Sequence, residues 1–250
     1  MTPSRWRDYA ERARPLHAGS VPTAANVRDA AYIANGWFTR GLTIGIPRPD
    51  STLVYGWVYF RRNVAHLARF LPHTGSPRGF DLYVGGTPWH HSRANPSVAY
   101  HNNHLAGEQY ILKFNIGASD AGITPPGFGE LIYANLNTPG GRYNGLTVRE
   151  LMAHTDSALT FCHGVPSSYY VELDSILSMI NAAFQGPISG YTAVPLVIGG
   201  ARPLSEAPFL HANPAARPVV LERPPDEDPV PSAFSLAQNY PNPFNPTTTI

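Results

Sequence analysis

The sequence predicts an α+β protein in which a small β-containing N-terminal region packs on or beside a helical region, with a proline-rich linker beyond. Three observations lead to this. Leu53 to Phe60 (LVYGWVYF) is dense in aromatic and β-branched residues, and Leu42, Ile44 and Ile46 alternate with small or polar neighbours just before it. Residues 147–184 carry two apolar stripes at helical spacing, the first opened by a Thr-x-x-Glu phrase. After Pro187 prolines recur to position 246, with Val194 to Ile198 as one strand candidate among them.

The 250 residues suffice to bury a sizeable core, and an apolar fraction of 43% suits a globular body. With 22 glycines and 26 prolines, much of the chain is turns or irregular loops. A net charge of +1 excludes a general electrostatic attraction to nucleic acid or anionic lipid. The one cysteine, Cys162, excludes an internal disulfide framework, and no apolar run is long enough to span a membrane.

The order divides the chain into an N-terminal helical or irregular segment (1–40), a β-containing region (41–103), a helical region (104–186), a proline-rich extension and linker (187–231), and a tail (232–250). Arg5 to Ala13 reads as a short polar helix or a frayed terminus, and Thr23 to Asn35 as an Ala-rich helix stopped by Gly36. The alternating run and the Leu53–Phe60 strand are expected to form a hairpin around Pro47–Asp50. Phe80 to Val84 is a third strand candidate, and Asn63 to Leu71 has helical character. Thr87 to Asn103 is read as a loop, followed by a helix to about Ala118 with Leu105, Leu112 and Ile116 on one stripe.

Thr147 and Glu150 match a capping box for a helix carrying Val148, Leu151, Met152, Thr155, Leu159 and Cys162 on one face. Ser167 or Ser168 is expected to cap the next helix, with Leu173, Ile176, Leu177, Ile180 and Phe184 inward. Two amphipathic helices joined by a short turn are expected to pack antiparallel as a helical hairpin. Glu222 to Asp228 (ERPPDED) lacks the apolar surface to offset its ordering entropy and reads as a semi-rigid linker.

Chemistry-bearing residues are sparse. His101, His104 and Glu108 fall at i, i+3 and i+7 of the expected helix, so two imidazoles and a carboxylate share a face; His90 or His91 would supply a fourth metal ligand. Asn102 and Asn103 stand where a HExxH site needs its glutamate, and surface histidines are the commoner reading. Ser119, Asp120 and His154 or His163 are the pieces of a triad, without a Gly-x-Ser-x-Gly elbow. Cys162 lies on an apolar stripe and reads as buried and structural, although His163 follows it. Trp37, Trp57, Tyr59, Trp89 and Tyr100 are candidates for a carbohydrate-stacking platform, core packing being the commoner fate of such residues. No motif calls for a cofactor.

The tail carries the most specific phrase: Gln238-Asn239-Tyr240-Pro241-Asn242-Pro243-Phe244-Asn245-Pro246, then Thr248-Thr249-Ile250. It resembles the opening of the C-terminal sorting domain of proteins exported by the bacterial type IX secretion system. The resemblance implies the start of an immunoglobulin-like β-sandwich, the type IX machinery as partner, and an extracellular or cell-surface destination. The phrase ends within what would be the first strand of that sandwich, and the N-terminus lacks a signal-peptide apolar core, so the sequence is expected to be a fragment. A fainter resemblance, carried by Leu112 to Tyr133 and Asn144 to Thr160, is to a helical module of secreted bacterial proteins. The functional expectation is a secreted or surface protein of structural or adhesive type, with self-association or glycan binding. The alternatives are a metal-dependent secreted hydrolase using His90, His91, His101 and His104, or a carbohydrate-binding module.

Overall fold

A computed structural model describes residues 16–47, 58–60, 73–80, 92–162, 164–186, 188–200 and 202–216. Contacts divide the chain into Met1–Val219 and Val220–Ile250, and every described residue falls in the first unit. The expected helices at 5–13 and 63–71, the linker at 222–228 and the sorting phrase lie outside the described residues.

Helix α1, Ala24–Ala34, opens on a capping box in which the Thr23 hydroxyl accepts from the Asn26 amide and the Asn26 side chain accepts from the Thr23 amide. A single turn, α2 (Trp37–Arg40), leads into strand β1 (Leu42–Ile44). The predicted strand pairing forms, with 48–57 outside the described residues: β1 pairs antiparallel with β2 (Val58–Phe60) in the register Leu42↔Phe60, Thr43↔Tyr59, Ile44↔Val58. Leu42, Ile44, Val58 and Phe60 all face inward, as a period of two requires. A further strand lies outside the expected positions. It is β3 (Arg93–Ala94), parallel to β2 and inside the segment read as a loop. Phe80 lies in a turn, and 81–84 are outside the described residues.

Helix α3, His104–Asp120, is the central element, and no residue along it is fully exposed. Its burial includes the Leu105, Leu112 and Ile116 stripe and extends around it to Tyr110, Ile111 and Phe114. Helices α4 (Val148–Thr160) and α5 (Ser167–Ala182) follow. The Thr147–Glu150 capping box is present. The expected serine cap of α5 is not: Pro166 holds the N-cap position with no side-chain cap, and Ser167 is already helical.

Both predicted stripes are buried, but the packing differs from a two-helix hairpin. The main helix contact of α4 and of α5 is with α3, which offers apolar surface to both. They meet each other near their connection, where the Tyr170 hydroxyl donates to the Ala158 carbonyl at 3.3 Å.

Residues after 186 return to the body. Strands β5 (Ile188–Thr192) and β6 (Val197–Gly200) form an antiparallel hairpin, with a cis Val194–Pro195 peptide in its connection. The Ile198 amide donates to the Ile123 carbonyl, fixing this hairpin to the loop after α3. Strand β7 (Leu210–His211) then pairs antiparallel with β4 (Ile132–Tyr133). One buried apolar cluster runs from Val27 to Leu210 and joins residues from the 1–40, 41–103 and 104–186 regions. Among the described residues the fold is mixed α+β, with five helices and small sheets. None of these helices is long and apolar enough to cross a membrane.

Candidate functional site

The N-terminus of α3 is built against the segment 73–80. The Asn102 carboxamide oxygen accepts from the amides of Thr74 and Gly75, each at 2.8 Å, and the His104 amide donates to the Gly75 carbonyl at 2.9 Å. A Cβ on Gly75 would lie 2.2 Å from the Asn102 carbonyl oxygen, so this approach requires glycine. The Asn103 amide donates to His73 Nδ1 at 2.7 Å, which assigns that nitrogen as the acceptor and Nε2 as the protonated one.

His101 precedes the helix and is fully buried. Its ring packs 5.2 Å from Phe80 and 6.2 Å from His73. Burial disfavours the charged imidazolium at both positions, pushing His73 down to about 3 and His101 well below its ordinary range.

His104 begins a separate polar network. Its Nδ1 lies 2.8 Å from Asp174 Oδ1 on α5, and its Nε2 lies 3.7 Å from Glu108 Oε1 one turn along α3. The Asn181 amide donates both to Glu108 Oε2 at 2.8 Å and to the Glu108 carbonyl at 2.9 Å. Asn115 Nδ2 donates in turn to Asn181 Oδ1 at 3.3 Å. Polar residues at 104, 108 and 115 of α3 thus meet 174 and 181 of α5, and Ser178 of α5 also bonds to Glu108. Burial raises the Glu108 carboxyl, an effect opposed by the Asn181 hydrogen bond and by His104; burial also raises Asp174, opposed by His104.

Of the three predicted metal ligands, the fold brings His104 and Glu108 together and turns His101 into the aromatic pocket with Phe80 and His73. His90 and His91 are outside the described residues. Among the described residues no three His, Cys, Asp or Glu side chains form a group able to hold a metal ion. Asp174 and Asn181 were not singled out from sequence. Their signal is a seven-residue spacing on α5 that matches the polar positions of α3.

The triad pieces have other roles. The Ser119 hydroxyl donates to the Pro125 carbonyl at 2.8 Å and accepts from the Phe128 amide at 3.1 Å, bracing the turn after α3. Asp120 receives Arg149 through two hydrogen bonds of 2.8 and 3.0 Å, and the same guanidinium donates to Glu130 at 2.9 Å. His154 is exposed on α4, beside the Tyr143 ring, and His163 is outside the described residues. Cys162 is buried, its Cβ only 2.0 Å from where a Cβ on Gly79 would stand.

The aromatic platform is not assembled among the described residues. Trp37 is partly buried, edge-on to Tyr32 at 5.7 Å, Tyr59 is half-buried within β2, and Tyr100 is exposed. Trp57, Trp89 and the sorting residues Gln238, Asn239, Tyr240, Pro241, Asn242, Pro243, Phe244, Asn245 and Pro246 are outside them.

Comparison of the chain with protein-family models, with curated proteins and with solved structures finds no match.

Proposed function

We propose that the chain is a secreted or cell-surface bacterial protein of structural or adhesive type, exported by the type IX secretion machinery. The observation that carries this reading is the phrase Gln238–Pro246 followed by Thr248-Thr249-Ile250, behind a proline-rich segment. The body is compatible with a scaffold: ionisable groups tie its elements together, as Lys113 does with Asp156, Arg149 with Asp120 and Glu130, and His104 with Asp174.

The test is to follow the intact gene product in a bacterium with a working type IX translocon and in a strain without it. Surface protease accessibility is expected in the first and loss of it in the second; retention inside the cell in both hosts overturns the reading. Self-association and glycan binding, the two partner classes proposed for a surface protein, are read by sedimentation and by a glycan array.

A metal-dependent hydrolase is the second reading: His104 approaches Glu108 beside Asp174, although these three do not make a group able to hold a metal ion. It has less support, because His101 faces Phe80 and His73 instead. Elemental analysis showing no bound transition metal after mild purification removes it.

A further inference from the structure

A cavity of about 400 Å³ is lined by the C-terminal halves of α3 and α5, the loop 124–128 and the β5–β6 hairpin. That volume falls within the ~300–1,000 Å³ range of small-ligand sites. Its walls are apolar, with Phe128, Ile180, Phe184, Ile198 and Leu204 among them. The amides of Asn115 and Asn181 belong to the lining, and they are bonded to each other and, through Asn181, to Glu108. Among the described residues that line it, Arg202 is the single charged side chain and none is a carboxylate.

Arg202 is placed to act as a headgroup clamp. Its aliphatic stem lies across Gly186, with Cγ 3.6 Å from where a Cβ on that glycine would be, so the stem forms part of the wall. Its ion-pair partner among the described residues is Glu206, at 3.8 Å, and both side chains are about half exposed. A solvent-exposed pair at that distance holds the guanidinium weakly. The site therefore offers an apolar interior, neutral amides and one displaceable cation.

We propose that this cavity binds a medium-chain fatty acid, with the alkyl chain against Phe128, Ile180 and Phe184 and the carboxylate on Arg202 in place of Glu206. Arginine meets a carboxylate through two parallel hydrogen bonds, a geometry that a neutral hydroxyl does not match. The cavity and the His104–Asp174 network share Asn181, so ligand contact at Asn181 reaches the seam between α3 and α5.

The strand geometry supplies a blocking variant. Ile198 lines the cavity, and Gly200, two residues on, faces the same side of β6. A Cβ at Gly200 meets nothing within 4 Å, so Gly200→Leu projects a side chain into open space on that face.

The experiment is isothermal titration of the full chain with octanoate and, separately, with 1-octanol. Octanoate is expected to bind saturably, one per chain, and roughly tenfold or more tighter than octanol, the worth of one charged hydrogen-bonding partner. Arg202→Gln is expected to bring octanoate down to the affinity of octanol and leave octanol unchanged. Glu206→Gln is expected to tighten octanoate by removing the competing carboxylate. Gly200→Leu is expected to abolish both. These three positions are at the surface, and circular dichroism verifies that each variant folds. Equal binding of octanoate and octanol to the unmodified chain overturns the proposal, as does no saturable octanoate binding, or octanoate binding that survives Gly200→Leu.

Discussion

Lys113 and Asp156 form an ion pair inside the body; Lys113 also holds strand β1, and Asp156 the residue that follows it. The ammonium of Lys113 donates to the Thr43 carbonyl at 2.7 Å, and Asp156 Oδ1 accepts from the Gly45 amide at 2.8 Å. Gln109 adds a third donor to that carboxylate at 3.0 Å. The chain's single lysine therefore ties α3, α4 and the sheet at one point. Lys113→Met is expected to cost about 3–5 kcal/mol, because it leaves a buried carboxylate without its cation. Urea unfolding measures this, and the double variant Lys113→Met/Asp156→Leu should recover part of the loss. A loss in the single variant below about 1 kcal/mol, the range of an exposed pair, would show that the clamp is not buried in solution.

Gly117 sits inside α3, where alanine ordinarily gains about 1 kcal/mol over glycine. Here the sign should reverse. A Cβ at Gly117 would stand 2.3 Å from Trp37 Cη2, and the Asn35 side chain donates to the Gly117 carbonyl at 3.0 Å. Gly117→Ala is expected to destabilise by about 1–3 kcal/mol as an overpacked contact. In a Trp37→Ala background the same change should become neutral or stabilising. Thermal melts of the four-member cycle decide this, and a cost that persists without the indole would place its origin elsewhere.

Acid should weaken the fold through His73 and His101. Both imidazoles are held neutral by burial, His73 with a folded value of about 3 against an ordinary 6.5. A histidine with a depressed folded value binds its proton more readily when unfolded. Its contribution is therefore complete above about pH 6.5 and is lost as pH falls toward 3. Each such group contributes a slope on the order of 1.4 kcal/mol per pH unit inside that window. Glu108 and Asp174, raised by burial, act in the opposite sense in the carboxylate range, so the cleanest measurement lies between about pH 7 and 5.5. Unfolding free energies over that interval should fall with acid, and His73→Gln should flatten the slope.

Thr147→Ala removes the hydroxyl that accepts from the Glu150 amide at 3.1 Å. The expected cost is about 1 kcal/mol, with Thr147→Asp close to neutral because aspartate also caps. Equal losses for both substitutions would indicate that the cap is not formed.

Local chemistry was the most legible part of the sequence. The Thr147–Glu150 box, the β1–β2 pairing and the inward stripes of α4 and α5 follow from patterns within single short stretches of chain, and each is present. What packs against a stripe is a longer-range question. Val148 and Leu151 specify a face, not a partner, and the two-helix hairpin was expected because sequence adjacency was the only guide. The partner is α3, whose all-round burial is hidden by Glu108, Gln109 and Asn115; these look solvent-facing by type but bond to neighbouring elements.

Prolines obscured the region after 186. Pro195 lies in the connection between β5 and β6, and Pro203 at the N-cap of the short 3₁₀ turn Leu204–Glu206, so they punctuate order there. Half of the candidate site was readable. His104 and Glu108 lie on one helix, whereas Asp174 and Asn181 come from another, a relationship that no spacing within one segment reveals.

The β4–β7 pairing has a mechanical consequence. Among the described residues, tension applied from the C-terminal side meets its first strand pairing at Leu210–His211, held to Ile132–Tyr133 by a ladder two residues long. Next along the chain is the β5–β6 hairpin, one wall of the 400 Å³ cavity, and only after it the helices packed on α3. Stretching should therefore rupture the molecule in steps, with a low-force release of β7 and the hairpin before the helical core yields. That order makes the periphery a mechanical fuse for the helical core. Single-molecule extension showing one all-or-none rupture would contradict it.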